Sequence, residues 1–176
     1  MSVRIATRQD EGAVRQINLA AFPESERDLV AGLAVDLLAG VDDQSVLALV
    51  ASRSGGPVGY VAFSRVQVDG DPEISGFILA PLAVMPEFQK TGIGSELINT
   101  GIQSLADNAV DFVLVYGDPD YYGRFGFDAE AAAALLAPYP LEYPFGWQCR
   151  PLSDRATGRS PAGIRCVAAL SRPELW

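Results

Sequence analysis

The sequence contains no histidine, and this absence excludes several classes of protein at once. Without an imidazole there is no Ser-His-Asp hydrolase, no histidine-ligated metal and none of the commonest general base of enzymes. Cysteine is also scarce: Cys149 and Cys166 are the only two, too few for a disulfide framework or a closed zinc site. We therefore expect two buried free thiols and no metal cofactor.

Long hydrophobic runs are missing as well. No stretch of the 176 residues approaches the roughly 18 apolar residues that a membrane-spanning helix needs. The longest candidate, residues 29–40, is interrupted by Asp36 and is typical of an amphipathic helix. The first residues lack the basic start and apolar core of a signal peptide. These patterns predict a cytoplasmic protein without a membrane partner, and the length predicts one domain.

Positive charge is limited and unevenly placed. The chain has 13 basic and 22 acidic residues, a formal charge of -9. Residues 1–145 hold 8 basic and 20 acidic residues, whereas residues 146–176 hold 5 arginines and 2 acids. An acidic body repels nucleic acid phosphates, so we expect no nucleic acid partner. The acidity is equally compatible with attraction of a cationic partner and with simple solubility.

The order of elements predicts a mixed α/β sheet. Strands rich in apolar and β-branched residues are predicted from Val3, from Val46, from Val58, over 74–84, over 110–117 and as a closing pair within 147–152 and 163–170. Helices are predicted after a Thr7–Asp10 capping box, over 22–38, from Ile93 and, by propensity, over 129–136. A hairpin and one βαβ unit result. Pro81 is expected to break or bulge its strand.

A glycine turn, Gln89-Lys90-Thr91-Gly92-Ile93-Gly94, separates the strand at 74–84 from the helix that follows. A helix N-terminus presents unpaired N–H groups, and glycines let such a backbone close on an anion. Lys90, the only lysine, adds positive charge. The spacing fits a phosphate or pyrophosphate, and equally a tight turn without ligand. A P-loop is excluded because no Gly-Lys pair exists, and a dinucleotide fingerprint would need glycine where Leu97 stands.

This stretch resembles the cofactor loop of the GNAT superfamily of N-acetyltransferases, in which Gln or Arg is followed by two variable residues, Gly, any residue, and Gly or Ala. Gln89, Gly92 and Gly94 match that pattern, after an apolar strand and Pro86. The resemblance implies that the loop cradles the pyrophosphate of acetyl-CoA and that the preceding strand splays from its neighbour and pairs with the pantetheine arm. The cofactor-binding residues would be Leu82, Ala83, Val84, Gln89, Lys90, Thr91, Gly92, Ile93, Gly94 and Ser95.

A second stretch, residues 121–127 with the sequence YYGRFGF, resembles the aromatic-Tyr-x-x-x-Gly-Phe element of the same family. The resemblance implies that Tyr122 is the general acid that protonates the departing CoA thiolate. Tyr121, Phe125 and Phe127 would be packing residues. Many members carry an asparagine before this tyrosine; the present chain has none there, and Asp118 takes its structural place.

The resemblance covers most of residues 3–128 and implies a GNAT acyl-CoA N-acyltransferase fold, with a central, mostly antiparallel sheet flanked by helices. We expect one domain over 1–176, with the motifs in 3–128 and a closing segment at 138–176. The implied activity is direct acetyl transfer from acetyl-CoA to a primary amine, carried by a small molecule or a peptide. A backbone N–H near Val84 could stabilise the oxyanion.

The attacking amine must also lose a proton to a general base. With histidine absent, a carboxylate, a water chain or a tyrosine must serve. Glu24 is our candidate; Glu24, Glu26 and Asp28 are predicted on the helix that covers the substrate side, though all three also suit a solvated surface, and Glu73 is a weaker choice. Two rivals stay open: an acyl-CoA sensor without catalysis, and a nucleic acid-associated acetyltransferase supported only by the five C-terminal arginines. The sequence does not decide between a monomer and a homodimer.

Overall fold

The computed structural model describes residues 1–176. Its eight strands are β1 (Ser2–Ile5), β2 (Val46–Arg53), β3 (Gly56–Val68), β4 (Asp71–Val84), β5 (Phe112–Tyr116), β6 (Leu135–Leu136), β7 (Trp147–Pro151) and β8 (Ala162–Cys166). Its α-helices are α1 (Glu11–Ala21), α2 (Arg27–Leu38), α3 (Ile93–Asp107) and α4 (Pro119–Tyr122). No helix has both the length and the apolar character needed to cross a membrane.

The strands form one mixed sheet in the order β1-β2-β3-β4-β5-β7, with β8 beside β3 and β6 beside β8. The pairs β1–β2, β2–β3, β3–β8 and β5–β7 are antiparallel, whereas β4–β5 and β6–β8 are parallel. The predicted class, a mostly antiparallel α/β sheet with flanking helices, is confirmed. The parallel pair β4–β5 with α3 between them is the predicted βαβ unit.

By their internal contacts the residues form two compact units. One comprises residues 1–64 and 80–101, and the other comprises residues 65–79 and 102–176. In the first unit, the buried Tyr60 of β3 donates a hydrogen bond from its hydroxyl to the carbonyl of Ala34 in α2 at 3.2 Å. A Cβ at Gly59 would lie 2.8 Å from Ile93 Cγ2, so glycine lets the start of α3 pack closely on β3.

The capping box near the N-terminus is present. Thr7 N–H donates to Asp10 Oδ2 at 2.8 Å, and the Thr7 side chain and the Asp10 backbone complete the reciprocal pair. It closes a 3-10 turn, Arg8–Asp10, that leads into α1. Hydrogen bonding from the Arg4 guanidinium, 2.7 Å away, lowers the pKa of Asp10 to about 2.

Helix α2 begins later than the sequence suggested. The pattern predicted a helix entered through Pro23, but α2 starts at Arg27. The N–H groups of Glu26 and Arg27 both donate to the carbonyl of Pro23 at 2.9 Å, so residues 23–26 form a turn. Glu24 and Glu26 therefore lie before α2, so the prediction that placed them on this helix with Asp28 is wrong.

In the second unit, a buried carboxylate anchors the start of β5. Asp111 accepts hydrogen bonds from Ser75 N–H at 2.8 Å and from the Ser153 hydroxyl at 2.6 Å. Its own carbonyl accepts from Leu152 N–H at 2.8 Å. The strand that leads toward Tyr116 is thus tied to β4 on one side and to the segment after β7 on the other.

The helix predicted over 129–136 is wrong. Residues 129–134 form turns, and Leu135–Leu136 form β6. The carbonyl of Ala134 accepts from Ala162 N–H at 3.0 Å, and that of Leu135 accepts from Trp147 Nε1 at 2.6 Å. So short an alanine-rich segment has little intrinsic helical stability, and these tertiary partners override its propensity.

The closing strands exist, but the predicted pairing between them is wrong. Strand β7 pairs with β5, and β8 pairs with β3 and β6. Each carries a free cysteine: Cys149 of β7 is buried and Cys166 of β8 is half-buried. Burial raises the pKa of both thiols to about 12.

Strand β4 does not break at Pro81, so that part of the prediction of a break or a bulge is wrong. The peptide between Ala80 and Pro81 is cis, and the strand continues to Val84. Its register with β5 runs from Gly76↔Phe112 to Leu79↔Val115. Because that ladder has ended before Pro81, the missing proline N–H interrupts no bond of the ladder.

Candidate active site

The loop after β4 is a compact strand-to-helix connection. Met85 N–H donates to the carbonyl of Val58 at 2.9 Å and fixes the end of β4 to β3. A 3-10 turn, Pro86–Phe88, follows, in which Phe88 N–H donates to the carbonyl of Met85 at 2.9 Å. The chain then reaches α3 within a few residues, so the backbone between β4 and α3 is held at both ends.

Two residues of this loop have left-handed backbone conformations. Lys90 has φ 60° and Gly92 has φ 89°. Glycine adopts this region freely, whereas a residue such as lysine does so at a cost of about 1–3 kcal/mol, a strain that tends to occur at functional sites. A Cβ at Gly92 would meet no atom within 4 Å. Glycine is needed here for its conformation, and the space beside it is open.

The first turn of α3 provides a group of backbone donors. The N–H of Glu96 donates to the carbonyl of Gly92 at 3.0 Å, which is the first bond of the helix. The N–H groups of Ile93, Gly94 and Ser95 precede that bond and have no acceptor within the helix. Together with the positive end of the helix dipole, they have the chemistry that suits an anion such as a phosphate.

Two motif side chains brace the loop from within. The Gln89 amide nitrogen donates to the carbonyl of Val84 at 3.0 Å, and the Thr91 hydroxyl donates to the carbonyl of Phe88 at 2.6 Å. The glutamine of the motif thus connects the end of β4 to the turn before α3. The pattern alone did not reveal this bracing role for either side chain.

The last residues of β4 extend past the ladder with β5. Ala83 is buried, whereas Leu82 and Val84 are half-buried, which is the alternation of a strand with one covered face. A strand edge with free backbone groups can pair with an extended ligand, as in peptide recognition by strand addition. The backbone of residues 82–84 lies past the ladder with β5, where the cofactor prediction places this pairing, and the Val84 carbonyl already accepts from the Gln89 amide.

Tyr122 is the last residue of α4. Asp118 caps this helix: its Oδ1 accepts from Asp120 N–H at 2.9 Å, and its carbonyl accepts from Tyr122 N–H at 2.9 Å. Pro119 occupies the first helical position, where its missing N–H is not needed. Asp118 and Pro119 thus set the position of Tyr122 at the end of this short helix.

The ring of Tyr122 is held by aromatic neighbours and by a glycine. It meets Tyr121 edge-on with the ring centroids 5.0 Å apart, and Phe127 with the centroids 5.9 Å apart. A Cβ at Gly117 would lie 2.5 Å from Tyr122 Cε2, so only glycine allows this approach. Burial, followed by the neighbouring Tyr121, raises the pKa of Tyr122 above the ordinary value of about 10. The phenol therefore keeps its proton at neutral pH, as a general acid must.

The other aromatic residues of the motif differ in their surroundings. Phe125 and Phe127 are buried, as predicted. Tyr121 is half-buried, and the Arg124 guanidinium lies 4.7 Å from the centroid of its ring. Tyr121 therefore packs at the surface of the unit and not within its core.

The carboxylates considered as general bases are all exposed. Glu24 has 89% of its side chain exposed and lies 3.8 Å from the Arg27 guanidinium. Glu26, Asp28 and Glu73 are exposed as well. None is held by burial in a fixed orientation, so any role in proton removal would involve solvent.

The second unit contains a pocket that the sequence did not predict. This aromatic pocket has a volume of about 410 Å³, and its lining includes Tyr116, Asp118, Glu142, Tyr143, Phe145 and Trp176. It adjoins the helix cap at Asp118 and includes Gly117, on which Tyr122 packs. Its residues come from three separate segments, so no local motif could have revealed it.

Comparison with known proteins gives consistent matches. Residues 44–129 match the family model of the acetyltransferase (GNAT) domain. The chain is 37% identical over 171 residues to YjhQ of Escherichia coli strain K12, named an uncharacterized N-acetyltransferase, and the match covers 93% of this chain and 90% of YjhQ.

Solved structures agree over nearly the whole chain. The crystal structure of the Escherichia coli GNAT family N-acetyltransferase YhbS in complex with CoA superposes with a TM-score of 0.84 and 29% identity, covering 97% of this chain and 92% of YhbS. A GNAT family acetyltransferase from Brucella melitensis in complex with acetyl-CoA gives a TM-score of 0.71 and 26% identity, with 96% of each chain covered.

Proposed function

Because the chain belongs to the GNAT family of acetyltransferases, we propose that it transfers the acetyl group of acetyl-CoA to a primary amine by direct attack, yielding an N-acetyl amide and CoA thiol. The observation that carries this proposal is the loop between β4 and α3. Its left-handed Gly92, its open space and the N–H groups that begin α3 suit a pyrophosphate. The relatives solved with CoA and acetyl-CoA support the same ligand.

Cofactor binding is assigned to two parts of the chain. The N–H groups of residues 92–95 would hold the pyrophosphate, with Lys90 adding charge. The backbone of residues 82–84 would pair with the pantetheine arm. Gln89 and Thr91 act indirectly, since their side chains bond to loop carbonyls and keep the loop in shape.

The chemical step needs three functions from the protein. When bound, acetyl-CoA supplies the thioester on which the amine acts. A backbone N–H near Val84 would donate to the carbonyl oxygen as negative charge develops on it. Tyr122 would donate its phenolic proton to the departing sulfur, and its raised pKa keeps that proton available. The base would take the proton that the amine gives up.

The decisive test is turnover with a panel of primary amines at fixed acetyl-CoA. We expect CoA thiol release that depends on the amine, together with a product heavier than the amine by one acetyl group. An acyl-CoA sensor would bind acetyl-CoA with no thiol release above hydrolysis for any amine. That second outcome would refute the proposed enzyme and favour the acyl-CoA sensor without catalysis.

The pH profile gives a further prediction. A primary amine with a pKa near 10 attacks only when neutral, so kcat/KM for the amine should rise with pH up to about pH 10. Tyr122 imposes no descending limb in this range, because its pKa lies above 10 and its acid form persists. A fall of kcat/KM between pH 8 and pH 9.5 in a stable sample would contradict an unionised Tyr122 as the acid.

For the base we propose Glu24, acting through water because its side chain is exposed. Glu24→Gln should lower kcat/KM for the amine about tenfold near pH 7, and less as the pH approaches 10, where the amine is already neutral. Steady-state kinetics across this pH range measure both effects.

Two matched variants accompany this test. Glu11→Gln removes the same charge from an exposed position in α1 and should change kcat/KM less than twofold. Asp28→Asn examines the neighbouring candidate in α2. A pH-dependent fall of kcat/KM in Asp28→Asn, with wild-type kcat/KM in Glu24→Gln, would contradict the assignment of Glu24 as the base.

A further inference from the structure

The walls of the aromatic pocket are two pairs of rings. Tyr116 and Trp176 are stacked with their ring centroids 6.3 Å apart and 10° between their planes. Tyr143 and Phe145 form a tilted pair with the centroids 5.8 Å apart. Tyr143 N–H donates to the Tyr116 hydroxyl at 3.0 Å, which connects the two pairs. Four aromatic residues therefore line one open space of about 410 Å³, large enough for a small organic ligand.

The rings are unusually accessible for their size. Tyr143 is 53% exposed and Phe145 is 63% exposed, although both are large apolar side chains. Trp176 also lines the pocket, and its Nε1 donates to the carbonyl of Leu170 at 3.0 Å, which holds the ring in place. A ligand that entered the pocket would thus cover exposed aromatic surface and meet a ring held by a hydrogen bond.

The charged residues in the lining have one sign. They are Asp118 and Glu142, and the remaining lining residues are aromatic, proline or glycine. Aromatic faces attract cations through the ring quadrupole, and carboxylates at the rim strengthen that attraction. The same sign prevails over residues 1–145, whose net charge is negative. The charge of the pocket is therefore complementary to an organic cation and not to an anion.

We propose that the aromatic pocket binds a cationic nitrogen of the amine acceptor that is not the nitrogen acetylated. The proposal rests on the proposed acetyl transfer. A site of aromatic faces and carboxylates stabilises the protonated form of an amine, whereas the attacking amine must be neutral. The nitrogen held in the pocket is therefore a second one, and the acceptor class is an amine with two cationic centres, such as a diamine.

The location of the pocket agrees with this role. Gly117 lines the pocket, and the ring of Tyr122 packs against the same glycine. Asp118 also lines it and caps the helix that ends at Tyr122. An acceptor held in this pocket would therefore be bound next to Tyr122, the residue to which we assign the proton transfer.

The binding test uses ligands that the enzyme is unable to acetylate on nitrogen. Choline and its neutral carbon isostere, 3,3-dimethylbutan-1-ol, have the same shape and differ in charge. Titrations followed by tryptophan fluorescence and by NMR should show choline binding at least about fivefold more tightly, since a cation–π contact contributes on that order. Glu142→Gln and Phe145→Ala should each weaken choline binding at least about fivefold.

The matched control is Glu130→Gln, which removes the same charge from an exposed site outside the pocket lining. It should leave choline affinity within twofold of the wild type. Glu142 and Phe145 are exposed, so their variants should keep the wild-type melting temperature. Equal affinity for choline and its isostere would overturn the proposal, as would equal losses in Glu130→Gln and Glu142→Gln.

The kinetic test compares 1,5-diaminopentane with 1-aminopentane as acceptors. We expect kcat/KM at least about tenfold higher for the diamine than for the monoamine. In Glu142→Gln and Phe145→Ala this difference should disappear, because the KM for the diamine rises while kcat changes little. Selective choline binding in a protein without acetyl transfer would support the pocket and refute the proposed function. Acetyl transfer without a diamine advantage and without choline binding would refute the pocket alone.

Discussion

Tyr122→Phe is expected to lower kcat about a hundredfold while the Kd for acetyl-CoA stays within a factor of two. General acid catalysis typically contributes this much or more, and the proton is needed in the transition state and not for binding. The phenyl ring preserves the contacts with Tyr121, Phe127 and Gly117, so the variant loses only the hydroxyl. Steady-state kinetics and calorimetric titration with acetyl-CoA separate the two effects.

Tyr121→Phe is the matched control, because it removes the same group from the adjacent residue. It should change kcat less than about threefold, since the Tyr121 ring serves in packing against Arg124 and Phe125. Thermal melts of both variants exclude misfolding. A crippled Tyr121→Phe beside an active Tyr122→Phe would mean that the general acid is assigned one residue too late. Two active variants would assign the proton transfer to water or place the slow step elsewhere.

Gly94→Asp is expected to raise the Kd for acetyl-CoA at least about tenfold. Its carboxylate would stand in the first turn of α3, among the N–H groups assigned to the pyrophosphate, and like charges repel. Gly92→Val should have a comparable effect for another reason: a β-branched residue strongly disfavours a φ of 89°. Lys90→Ala should be milder, since the backbone donors remain.

The control for added charge is Gly12→Asp. Gly12 lies in the first turn of α1, where a Cβ meets no atom within 4 Å, so the substitution adds the same charge to another helix N-terminus. Its Kd for acetyl-CoA should equal that of the wild type by calorimetry. Equal affinities for wild type and Gly94→Asp would refute the assignment of this loop to the cofactor.

Local patterns predicted the part of the fold that carries the loop assigned to the cofactor. Apolar runs, the hairpin formed by the strands from Val46 and Val58, and the helical spacing after Ile93 depend on neighbouring residues, and the corresponding elements β2, β3, β4, α3 and β5 are present. The partners of the later strands depend on residues far apart in the chain. For this reason the pairing of β7 with β5, and the extended conformation of Leu135, were not predictable from periodicity.

The residues of the candidate site also divide into those that local sequence patterns predicted and those that depend on the folded chain. The glycines of the loop and Tyr122 occur within contiguous motifs, and a motif can be read from the sequence alone. Glu24 was misplaced because the turn at residues 23–26 replaces a predicted helical turn. The aromatic pocket brings Tyr116, Tyr143 and Trp176 together from separate segments, and only the folded chain shows that they meet.

The state of the two cysteines determines how turnover is best measured. Thiol-reactive chromogens detect the thiolate, and burial raises the pKa of the Cys149 and Cys166 thiols to about 12, so both stay protonated near pH 7. Cys149 is also buried from the reagent, whereas Cys166 is half-buried. Folded protein should therefore contribute almost no background to a continuous colorimetric assay of released CoA. Any slow colour development without amine would then report unfolding of the enzyme or hydrolysis of acetyl-CoA.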